Sequence, residues 1–214
     1  MRTRSRSHSS RLALAALGVL AGLVALAGGA DATPRTPAAP AADPIRAIDF
    51  ADVSQPGSAC SEGLRVAPPK RIAVDRGSSA LLDLGRLTRL EVDDKVAYGD
   101  LDGDGADEAV VHAVCTFGAN GAEDTLAVWA MEDGDPVVVD TLAEPPTRLT
   151  GPFPPAVKKV AVADDEVVVT WTHYAADNPN CCPSQQTVLR YQLDDGSLRQ
   201  VGRAATTSVA VAAG

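Results

Sequence analysis

The chain has 214 residues, with 28 acidic against 19 basic side chains and a formal net charge of −9. That sign disfavours nucleic acid and anionic membrane surfaces as partners. The chain is 45% hydrophobic, and the length is enough for one domain with a proper core.

At the start, Arg2, Arg4, Arg6 and Arg11 precede an apolar run from Leu12 to Ala27, and Ala30-Asp31-Ala32 follows. A basic stretch, a moderate apolar run and an Ala-x-Ala site form the pattern of a secretory signal peptide over residues 1–32. The expectation is a secreted, extracellular chain beginning at Thr33, with no transmembrane anchor after cleavage. An uncleaved signal anchor is the competing reading, because the run approaches the length that spans a bilayer. No two arginines are adjacent in this segment, which points to general rather than twin-arginine export. Leu26-Ala27-Gly28-Gly29 has the shape of a lipobox with glycine in the place of the lipidated cysteine. Losing residues 1–32 removes four arginines and one aspartate, which takes the net charge from −9 to −12.

Residues 33–44, TPRTPAAPAADP, read as an extended Pro/Ala-rich linker. Residues 45–203 read as one β domain and 204–214 as a flexible tail. Within the domain, candidate strands run over 71–74, 87–92, 108–116, 125–131, 136–141, 157–162, 166–173, 187–192 and 198–201, each bounded by Gly, Asp or Pro. Apolar residues at helical spacing never persist beyond about two turns, so helices should be few and short. The spacers are short, which favours antiparallel meanders. The fold class is therefore mostly β: a twisted antiparallel sheet or small β-sandwich with a single calcium-loop hairpin. A full propeller is excluded because each blade takes about 40–45 residues. Lys158-Lys159 reads as a solvated strand edge.

The most specific stretch is Asp100 to Glu108, DLDGDGADE. A hard divalent cation takes about six to eight oxygens at about 2.3–2.6 Å, and alternating aspartates in a tight loop can aim several carboxylates at one point. The opening matches an EF-hand loop, with Gly105 at the sharp turn and the Ala106 carbonyl available. Val111 stands where the closing glutamate would be, no amphipathic helix flanks the loop, and an apolar strand follows. Glu108 is the closing acid instead. These residues resemble the calcium loops of the FG-GAP and VCBS type. The resemblance implies Ca2+ as a structural cofactor held by Asp100, Asp102, Asp104, the carbonyl of Ala106, and Glu108, with Asp107 facing solvent. The alternative is a metal-free polar turn, since Asp-Gly pairs commonly connect strands. Asp133-Gly134-Asp135 and Asp194-Asp195-Gly196 read as such ordinary turns.

Four cysteines, Cys60, Cys115, Cys181 and Cys182, in an exported chain suggest two disulfides. Cys115 is in phase with Ala109, Val111 and Ala113, so it should share their face. A bond between neighbours closes a strained ring, so Cys181 and Cys182 are expected to reach separate partners, one Cys115 and the other Cys60, in an order the sequence leaves open. A soft-metal site of Cys181, Cys182 and His173 is the alternative.

Ile48-Asp49-Phe50, YGDLDGDGADEAVV, the cysteine on the following strand, and DNPNCCPSQQTVLRYQLDDGSL together resemble secreted and lipid-anchored actinobacterial envelope proteins related to the LppP/LprE lipoproteins. The resemblance spans residues 45–202 and implies no catalytic residue. His112 alternates with Val110 and Val114 and reads as structural. His173 ends the face Val167, Val169, Trp171 beside Tyr174, and neither histidine sits in a zincin, nucleophile-elbow or phosphate-loop pattern. The reading is a secreted, calcium-stabilised, disulfide-bonded binding module for an extracellular or cell-envelope ligand, more a binder than an enzyme. A secreted hydrolase with a site assembled from distant loops near His173 is the alternative.

Overall fold

The computed structural model describes residues 43–60, 69–83, 86–118, 121–142, 149, 153–176, 178 and 182–209. The signal-peptide segment and Cys181 lie outside the described residues. Short apolar runs punctuated by turn residues give, among the described residues, twelve strands: β1 Gln55–Pro56, β2 Arg71–Ile72, β3 Ser78–Asp83, β4 Arg86–Val92, β5 Ala97–Gly99, β6 Glu108–Phe117, β7 Gly121–Glu132, β8 Asp135–Leu142, β9 Ala156–Ala163, β10 Glu166–His173, β11 Gln185–Asp194 and β12 Ser197–Ser208. The helical residues described are two 3-10 turns, Pro44–Ala47 and Gly57–Cys60.

The fold is mostly β, with antiparallel sheets. The first large sheet has the order β3-β4-β6-β7-β8, with β5 pairing β6 beyond the end of β4; the second is the meander β12-β11-β10-β9, and β1 and β2 pair as a separate two-stranded ladder. Alternation on facing strands explains why they pack. Val110, Leu126 and Val128 from the first sheet meet Val167, Val169, Trp171, Leu189 and Tyr191 from the second in one buried cluster. The first sheet is covered on its other face as well, where Ala109, Val111, Ala127 and Trp129 lie under Ile45 and Phe50. At about 25 cal/mol per Å2 of apolar surface, such two-sided burial makes β6 and β7 the strands with most to lose on opening.

The two sheets are also stitched at opposite ends. Asp124 Oδ1 on β7 accepts the Val157 N–H of β9 at 3.2 Å, and Asp140 Oδ2 on β8 accepts the Leu198 N–H of β12 at 2.7 Å. Between them, β5 and β9 approach so closely that a Cβ on Gly99 would lie 2.4 Å from a Val162 methyl.

Three of the four cysteines are described, and their bonding departs from expectation. Cys60 and Cys115 bond to each other, with Cα atoms 5.3 Å apart, and Cys182 is itself disulfide-bonded. The separate bridges from Cys60 and Cys115 to the adjacent pair are therefore ruled out. The Gly57–Cys60 turn lands on β6, where Cys60, Cys115, Ala113 and Leu90 form one buried cluster. Cys115 does share the face of Ala113, as its phase requires. The ordered segment also extends further than the sequence suggests: Asp43 caps the first 3-10 turn through its carboxylate on the Ile45 N–H, and β12 continues to Ser208.

Candidate metal centre

Three hairpins show what a plain connector looks like in this fold. The β7–β8, β9–β10 and β11–β12 connections are two-residue turns, Asp133-Gly134, Asp164-Asp165 and Asp195-Gly196, with positive φ at both positions. This is the geometry that matches the twist of paired strands. The β5–β6 connection is different. Gly99 pairs with Glu108, and the intervening residues 100–107 form a far longer loop than a turn requires.

The loop wraps its backbone around its own carboxylates. Asp100 accepts from the N–H groups of Gly103 at 2.7 Å and Gly105 at 3.1 Å, Asp102 from Asp104 N–H at 3.1 Å, and Asp104 from Ala106 N–H at 2.7 Å. Gly103 and Gly105 carry φ of +80° and +92°, which side chains with a Cβ adopt at a cost. Gly105 therefore turns the chain as the spacing requires. Glu108, 3% exposed, accepts the Leu101 N–H at 2.7 Å.

One oxygen from each of Asp100, Asp102 and Glu108 lies within 4.8 Å of the others. Asp104 stands outside this cluster, its Oδ1 held by the Ala106 N–H, although its charge still reaches Glu108. Burial pushes the Glu108 carboxyl up to about 7; the Leu101 N–H opposes the shift, and the charges of Asp102 and Asp104 add to it. Asp107 does not face solvent alone. It pairs with the Arg46 guanidinium at 2.5 Å and donates its N–H to Asp43 at 2.7 Å, so the residue outside the ligand set ties the amino-terminal turn to the loop. Arg46 also lies 4.8 Å over the Tyr98 ring.

The two histidines of the domain are both buried. His112 places Nε2 at 2.7 Å from Asp124 and Nδ1 at 3.4 Å from Asp93. Burial opposes its charging, but the hydrogen bond and charge of Asp124, then those of Asp93, raise its pKa above the ordinary value. His173 Nε2 lies 2.9 Å from the Thr187 hydroxyl, which in turn meets Thr206 at 2.7 Å. Tyr174 lines a different cavity, of about 230 Å3, with Phe153, Thr172 and Asp124, and His173 is not among its described lining residues.

Residues 141–196 match the family model of the LppP/LprE lipoproteins. The matched span runs from the end of β8 through β9, β10 and β11, so the 100–108 loop and the Cys60–Cys115 bond lie outside it. No curated protein and no solved structure matches the chain. Among the described residues, no helix is long and apolar enough to cross a membrane.

Proposed function

We propose that this chain is an extracytoplasmic, envelope-associated β module, stabilised by calcium and a disulfide, that binds a ligand rather than transforming one. The observation that carries the metal part is the convergence of Asp100, Asp102 and Glu108 within 4.8 Å. Two oxygens sharing one calcium at about 2.3–2.6 Å each lie at most about 5 Å apart, so this donor set fits the ion. The buried Glu108, raised to about 7 beside two more acids, marks negative charge that a cation would neutralise. When bound, calcium supplies that neutralising charge. Asp104 and the Ala106 carbonyl complete the proposed ligands. The lipoprotein-family match over 141–196 and the Cys60–Cys115 bond support the envelope placement, because disulfides persist in oxidising compartments.

Thermal unfolding tests the metal. At free calcium of about a hundred times the dissociation constant, binding adds about 2.7 kcal/mol, so the melting temperature should rise in millimolar calcium and fall back with chelator. Asp102→Ala should abolish the response, whereas Asp133→Ala, in a plain two-residue turn, should preserve it. Identical melting in calcium and chelator, with no heat of binding, defeats the metal assignment. Fractionation of culture supernatant and cell envelope tests the location separately: protein found only in the cytoplasm defeats it.

A further inference from the structure

The chain contains four lysines, Lys70, Lys95, Lys158 and Lys159. Three of them, Lys95, Lys158 and Lys159, line one cavity of about 350 Å3 together with His112 and Asp93. In a chain of net charge −9, this gathers three of the four lysines at one place.

The backbone is bent to allow it. Strict alternation sends neighbouring strand residues to opposite faces. In β9, however, Thr170 pairs with Lys159 and Trp171 with Val157, so Lys158 is an extra residue in a β-bulge. The consequence is visible in the packing: Val157 and Val160, three apart, both lie against the inter-sheet core. Lys158 and Lys159 therefore stand side by side. Bulges are enriched next to functional sites because they re-aim side chains in this way.

We propose that this cavity binds a small phosphate-bearing molecule. Three lysines and an imidazolium bonded at both nitrogens offset Asp93 inside it, Asp94 beside Asp93 and Asp124 behind the imidazole, which leaves a net positive site. Asp93 and Asp124 take the two imidazole nitrogens, so the donors left for a ligand are those of the lysines. The cations lining the cavity among the described residues are lysines rather than arginines; lysine acts as a point charge for a tetrahedral phosphate, whereas planar carboxylates favour the arginine fork. Val157 and Val160 give apolar wall for an organic group. The volume sits at the low end of ligand sites, which run about 300–1,000 Å3, so a phosphorylated polyol fits better than a nucleotide. This inference is independent of the calcium site and of the envelope placement.

Titration calorimetry of the folded protein with inorganic phosphate and with glycerol 3-phosphate tests it, alongside flotation on phosphatidylglycerol and phosphatidylcholine vesicles. Saturable binding of both phosphates is expected, with glycerol 3-phosphate tighter and both weakened by salt. Lys158→Ala with Lys159→Ala should weaken it by about tenfold or more, the effect of about 1.4 kcal/mol. Lys70→Ala, which removes one lysine charge outside the cavity, should leave it unchanged. The exposed lysines of β9 can be truncated without opening the core, and circular dichroism verifies this. Lysine-dependent flotation on phosphatidylglycerol, competed by glycerol 3-phosphate, identifies a lipid headgroup as the source. Binding of the soluble phosphates without flotation identifies a free metabolite. Absence of binding at millimolar phosphate, or an equal loss in Lys70→Ala, overturns the proposal.

Discussion

Removing the Cys60–Cys115 bond by a double Cys→Ala substitution should cost about 4 kcal/mol. The bond closes a loop of sequence separation 55, and the chain-entropy relation for a loop of that length gives about 14 cal/mol/K, or about 4 kcal/mol at about 25 °C. Both cysteines are fully buried, so the small voids left by alanine add to the loss. Domains of this size hold about 5–15 kcal/mol in total, which makes the bond a large share. In urea, with a slope of about 2 kcal/mol/M, the midpoint should fall by about 2 M. The slope itself should rise, because the denatured chain is released from a crosslink that holds β2 to β5 and the 100–108 loop within one closure. A midpoint shift below about 0.5 M at unchanged slope would show that the crosslink adds little beyond the packing of the Gly57–Cys60 turn on β6, and the loop-closure reasoning would fail.

Asp124→Ala should destabilise by about 3–5 kcal/mol, since it strands a buried imidazole along with the Val157 N–H; Asp124→Asn, which keeps an acceptor, should cost distinctly less, and equal losses in urea unfolding would refute the pairing. The His112 pKa is raised in the fold, so its contribution is complete below the unfolded value of about 6.5 and is lost as pH rises through the folded-state value. Urea midpoints from acid to alkaline pH should show this decline in the wild type and not in His112→Asn; parallel profiles would contradict it. Gly99→Ala places a methyl 2.4 Å from Val162 and should cost about 1–3 kcal/mol by overpacking, read as a lower melting temperature; an unchanged melting temperature would mean that β5 and β9 move apart freely.

Much of the β architecture was legible because turn residues and alternation mark it. The expected strand 166–173 coincides with β10, and those at 87–92, 108–116 and 136–141 fall within a residue of β4, β6 and β8. The strands missed, β1, β3 and β5, are short or poor in β-branched residues; Ser78-Ser79-Ala80-Leu81 becomes a strand because β4 offers it an edge to pair with. Pairing partners were less legible. The Cys60 match to Cys115 depends on where a 3-10 turn lands on β6, a tertiary fact without local signature. In the 100–108 loop, alternate spacing anticipated that Asp100, Asp102 and Glu108 converge, but it could not show that Asp104 turns to its own Ala106 N–H or that Arg46 takes Asp107. The lysine cavity had one visible sign. Val157 and Val160 cannot both face a core on an unbroken strand, so the spacing VKKV implied a bulge, although the pair reads at first as a solvated edge.

β6 explains why these features act together. It is paired on both edges, by β4 and β5 on one side and β7 on the other, and six of its first residues are buried in succession. A strand held on four sides cannot adjust one residue without the rest. Glu108 at its start faces the acidic loop, His112 in its middle meets Asp124 and the lysine cavity, and Cys115 near its end carries the disulfide. Charge placed on such a strand is costly unless it is paired, and each charged group on β6 has found a partner or a demand for one: His112 has two carboxylates, while Glu108 has a backbone N–H and two further acids. Of the two, only Glu108 faces charge of its own sign. Like charge therefore gathers at the open end of the strand, where an eight-residue loop, and not a two-residue turn, folds its backbone N–H groups onto the carboxylates.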